Sequence, residues 1–125
     1  VTIVALAWLV HEALAAAQVL EAEGISVEVV DPRSLVPMDA GTIRASVRKT
    51  GRLVIADEAG PTAGASAEIA ALVTEDRETF ASMKGALQRV CALPVPIPYA
   101  PTLEDYVFPD RERIADAVRA QMVHG

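Results

Sequence analysis

The sequence is short of cysteine, of aromatic residues and of positive charge, and each shortage removes a class of function. A lone Cys91 excludes an internal disulfide and fits a reducing compartment such as the cytoplasm. Aromatic residues make up only 4% of the 125 positions, which leaves little surface for stacking on bases. The net charge of -6 argues against a nucleic-acid or anionic-membrane partner. No segment approaches the ~20 unbroken apolar residues of a membrane-spanning helix, and no basic stretch leads into an apolar one as in a signal peptide. There is also no initiating Met: Val1 opens directly inside an apolar strand pattern, and the chain reads as a piece of a longer polypeptide.

What the sequence has is apolar bulk, 52% of it, much of it Ala and Val, enough for one domain of residues 1–125 around a single core. Val1 to Leu6 is a β-branched run of the kind found in strands covered on both faces. Val10, Ala13, Leu14, Ala17 and Leu20 then recur at helical spacing, and Gly24 closes the helix. Ile25 to Asp31 reads as a second strand, with an alternating start that suits a sheet edge. Asp39 is placed to cap a second helix carrying Ile43 and Val47, which Gly51 stops. Arg52 to Glu58 is a third strand, and a helix with Ile69, Leu72 and Val73 follows "AGPTAGA". Phe80 and Met83 mark a short helical turn, Leu87 to Cys91 a fourth strand, and Ile114, Ala117, Val118 and Met122 a last helix from near Asp110. Strands alternating with helices predict a mainly parallel sheet in a three-layer α/β/α domain, with the flavodoxin-like strand order 2-1-3-4.

The default site in such a sheet is the crevice beyond the strand carboxyl ends, at Ala7 and Trp8 after the first strand and at Asp57, Glu58 and "AGPTAG" after the third. Each motif there lacks a necessary partner. "GPTAG" matches neither phosphate-loop spacing, and Pro61 removes one of the N–H donors such a loop needs. "HEALA" has Ala15 where a zinc-binding helix would place its second histidine. "GASAE" puts Glu68 where a nucleophile elbow requires glycine, and the only other histidine, His124, is at the far terminus. Asp57 as a phospho-acceptor would need further acids after the first strand, and "ALAW" offers none. Cys91 has only Arg89 as a basic neighbour on its strand. The expectation is a segment with no catalytic, cofactor-binding or metal-binding residues of its own.

Two features point instead to assembly. "PVPIPYAPTLED", Pro94 to Asp105, is too rich in proline for a central strand or a helix, yet carries Val95, Ile97 and Tyr99 as an extended arm would if it lay on another surface. Val19 also lies opposite the apolar stripe of the first helix, which suits a helix buried on nearly all sides.

"VEVVDPRSLVPMD", "KTGRLVIADEA" and the P-x-P-Y arm occur in register along the whole chain, and together they resemble the C-terminal domain of transketolase-like enzymes. The likeness is nearest to the β subunit of the thiamine-diphosphate-dependent decarboxylase of 2-oxoacid dehydrogenase complexes of pyruvate, branched-chain or acetoin type. The resemblance implies a sheet extended by an antiparallel edge strand upstream of Val1, and a heterotetramer with an α subunit and a second β subunit. It implies thiamine diphosphate and Mg²⁺ in the parent enzyme, held outside this segment, and a docking surface for the dihydrolipoyl acyltransferase. Trp8, His11, Pro96, Pro98 and Tyr99 are the expected interface residues. The chain departs from the family's habit at Ala7-Trp8, where Gly-Arg or Ser-Arg is common, in "ASMKGALQRV", and before the arm, where Ala92 to Pro96 contains no acid. A transketolase or deoxyxylulose-phosphate synthase type of parent, and a free-standing flavodoxin-like binding module, are the alternatives.

Overall fold

A computed structural model describes residues 1–34, 36–62, 64–92 and 108–124. Strands β1 (Thr2–Ala5), β2 (Glu28–Val30), β3 (Leu53–Ala56) and β4 (Gln88–Val90) alternate with helices α1 (Leu9–Ala22), α2 (Ala40–Thr50), α3 (Ala65–Thr74), α4 (Arg77–Ser82) and α5 (Arg111–His124). The sheet order is β2-β1-β3-β4 and every pairing among the described residues is parallel, as the alternation of elements predicts. The antiparallel edge strand that the resemblance implies has no counterpart among these residues.

The central strands β1 and β3 are buried throughout, and their period of two divides the core into halves. Ile3, Ala5, Val54 and Ala56 face α1 and α5, while Val4, Leu53 and Ile55 face α2 and α3. Thr2 shares the second face and is fully buried, so its hydroxyl needs partners. It finds them one turn apart on α2, Ser46 at 2.7 Å and Thr50 at 2.8 Å.

Capping follows the sequence closely. Asp39 accepts from the Thr42 N–H at 3.1 Å at the start of α2, and Gly51 ends that helix in the left-handed region at φ 76°. Gly24, at φ 83°, turns the chain out of α1 in the same way.

The helix faces differ from expectation by a fraction of a turn. In α1 the buried residues are Leu9, Ala13, Ala16 and Leu20, whereas Leu14 and Val19 are each 49% exposed. In α5 the buried seam ends on Gln121 instead of Met122, whose side chain is 46% exposed. The cause is specific: the Gln121 amide donates to the Leu53 carbonyl at 3.2 Å and to that of Ala86 at 2.7 Å, tying the helix to the sheet. In α4, Phe80 faces outwards and Thr79 is buried, because the Thr79 hydroxyl and N–H both bond the Asp76 carboxylate and Arg48 donates to the same hydroxyl.

Helices α1 and α5 pack side by side through Ala13, Ala16, Ala115 and Ala117, small residues that allow close approach. Ion pairs hold both ends, Arg111 to Glu12 at 2.8 Å and Arg119 to Glu23 at 2.6 Å. Glu12 and Arg111 lie in the first turns of their helices and Glu23 and Arg119 near the ends, so α1 and α5 run parallel on one face of the sheet.

Candidate functional site

The carboxyl ends of β1 and β3 open where the sequence places a crevice. Strand β1 is followed by Leu6, and Ala7 then takes a positive φ of 53°, a left-handed conformation that costs a residue with a Cβ about 1 kcal/mol or more. That bend leads into α1 with Trp8 at its cap position, 59% exposed. His11 follows one turn later on the same side, its ring centroid 5.9 Å from that of Trp8. The two expected interface residues of this region are therefore brought together on the surface. Pro96, Pro98 and Tyr99 lie outside the described residues.

Trp8 lines a cleft of about 720 Å³ with Glu12, Glu58, Phe108 and Asp110. Two of its three acids, Glu12 and Asp110, are engaged in structure. The Glu12 side chain is only 13% exposed and is held by Arg111. Asp110 accepts from the Arg113 N–H at 2.9 Å, the first-turn bond of α5.

After β3, Asp57 is 5% exposed. Its Oδ1 accepts from the Ala59 N–H and its Oδ2 from the Ser66 N–H, both at 3.0 Å. The second bond satisfies a buried donor in the first turn of α3, where Gly64 at the cap position has no side chain to do so. Gly64 is required for space. A Cβ there would stand 2.8 Å from the Gly60 carbonyl oxygen and 3.3 Å from Asp57 Oδ2. Residues 57–62 and 64–66 thus form a compact turn around the Asp57 carboxylate, with both carboxylate oxygens occupied by backbone donors.

The remaining polar groups nearby close the same turn from β4. Arg89 donates to the Pro61 carbonyl at 2.6 Å and reaches Ser66 Oγ at 3.4 Å. Cys91 is buried, with Sγ 3.4 Å from Ser66 Oγ. Arg113 of α5 donates from Nη2 to the Cys91 carbonyl at 2.8 Å. Sequence reasoning missed the roles of Arg89, Arg111, Arg113 and Gln121, whose partners are 22 to 99 positions away and leave no local signal. Among the described residues, no group of three or more His, Cys, Asp and Glu side chains could hold a metal ion.

A turn wired shut by its own backbone, beside an exposed Trp–His pair, has the form of a structural domain that offers a surface. Residues 1–114 match the family model of the transketolase C-terminal domain. The chain belongs to the transketolase C-terminal domain family. It is 42% identical over its full length to the β subunit of acetoin:2,6-dichlorophenolindophenol oxidoreductase from Cupriavidus necator, covering 36% of that protein. It is 46% identical over 95% of its length to the mitochondrial pyruvate dehydrogenase E1 component β subunit of Pisum sativum, covering 33% of that chain. Among solved structures, a split-gene transketolase, described as an inactive β4 tetramer, superposes with a TM-score of 0.78 at 30% identity, over 98% of this chain and 39% of its own. The transketolase C-terminal domain chain thus spans about a third of the length of the curated relatives it matches.

Proposed function

We propose that residues 1–125 form one C-terminal assembly and docking domain of the β subunit of a thiamine-diphosphate-dependent 2-oxoacid dehydrogenase. The parent enzyme carries out oxidative decarboxylation of a 2-oxoacid and transfers the acyl group to lipoamide. One observation carries this reading: identity of 42% and 46% along nearly the whole chain to β subunits of an acetoin oxidoreductase and a pyruvate dehydrogenase. Thiamine diphosphate, with Mg²⁺, supplies the decarboxylation chemistry when bound, and we place it outside this domain. In support, Asp57 is used up by two backbone donors, Glu12 by Arg111, and Asp110 by the start of α5. These residues do not fit a cation or pyrophosphate site.

In this reading the domain joins a heterotetramer with α subunits and a second β subunit, and presents a surface to the dihydrolipoyl acyltransferase. Trp8 and His11, together with Pro96, Pro98 and Tyr99 of the arm, are the proposed contacts. The exposure of the Trp8–His11 pair supports the first two. A reducing compartment suits the buried free thiol of Cys91. Among the described residues, no helix is long and apolar enough to cross a membrane.

The likeness to a split-gene transketolase favours a second reading, a sugar-phosphate ketol transferase as parent. Reconstitution separates the two. The β chain that carries this domain, combined with its α partner and thiamine diphosphate, should release CO₂ from a 2-oxoacid such as pyruvate with reduction of a dye acceptor. Ketol transfer between sugar phosphates, without CO₂ release, would overturn the first reading and support the second.

A further inference from the structure

No further inference is drawn: the strongest candidate, the groove of Leu14, Ala17, Ile25 and Val27 between helix α1 and strand β2 at the sheet's edge, is an unpartnered apolar face, and nothing in the structure shows what covers it.

Discussion

Replacing Asp57 separates a structural carboxylate from a chemical one. The residue is almost fully buried, and its two oxygens accept from the Ala59 and Ser66 N–H groups at 3.0 Å each. A hydrogen bond to a carboxylate contributes about 1.5–3 kcal/mol, and a buried donor left unpaired costs about 1–3 kcal/mol. Ala59 is exposed, so water can satisfy its N–H, whereas the Ser66 N–H is buried. Asp57→Ala should therefore destabilise the chain by about 2–4 kcal/mol, most of it from Ser66. Asp57→Asn is the sharper test. Both partners are donors, so an amide can accept only one of them and must turn its NH₂ towards the other. Asn should cost about 1–3 kcal/mol despite its matching shape. Urea unfolding measured by circular dichroism gives both values, and for a chain of this length each kcal/mol moves Tm by roughly 2–8 °C. If the Asn variant were as stable as the parent within about 0.5 kcal/mol, the carboxylate would not be a backbone fastening. A chemical role for this strand-end acid would then return to consideration.

Other consequences can be measured in the same way. Gly64→Ala should cost about 1–3 kcal/mol by forcing the Gly60 carbonyl away, whereas Gly60→Ala, with nothing within 4 Å of its added Cβ, should leave the unfolding midpoint nearly unchanged. Leu9→Ala should lose about 2–5 kcal/mol and the half-exposed Leu14→Ala less than about 1 kcal/mol, in the same urea titration. The carboxyls of Glu23, Glu28, Asp39 and Asp76 are held below their usual range by hydrogen bonds from Arg119, from Lys49, from Thr42 and from Thr79 respectively. A lowered folded value means that this stability is fully present above the ordinary values of 3.8 and 4.5 and is lost as pH falls through the folded values. Thermal melts should accordingly show Tm flat near neutrality and falling below about pH 4, with a shallower fall in Glu28→Gln.

The fold was legible in the sequence because the strands here are short and the two central ones are buried on both faces. β-branched runs such as "TIVA" and "LVIA", separated by helical spacing and closed by Gly24 and Gly51, leave few arrangements of a parallel sheet. The face of α1 was less legible. In "LVHEALAAAQVLEA" apolar residues occur all round, so periodicity alone does not say whether Leu9 or Leu14 turns inwards. Tertiary packing against Ala115 and Ala117 of α5 decides it. Gln121 was hidden for a related reason, since a polar residue enters a core seam only when distant carbonyls, here those of Leu53 and Ala86, await it.

At the candidate site the individual failures of motif could be read from composition: Pro61 in the loop, Ala15 in place of a second histidine, Glu68 in place of glycine. What the Asp57 carboxylate does instead could not, because its fastening of Ser66 depends on how the loop folds back. The nearness of Trp8 and His11 follows from their spacing of three on a helix. The ion pairs that fix the same helix, Arg111 to Glu12 and Arg119 to Glu23, join residues 96 to 99 positions apart and have no local signature. Their contribution should be small where they are exposed and screened by salt.

The central claim is that this domain assembles and does not catalyse. The most direct test is to place Trp8→Ala and Tyr99→Ala in the β chain that carries it, combine each with the α partner, and measure complex mass by light scattering alongside decarboxylation per assembled complex. The account predicts dissociation at protein concentrations where the parent complex stays intact, with turnover per assembled complex unchanged. An intact complex that has lost its turnover would contradict it.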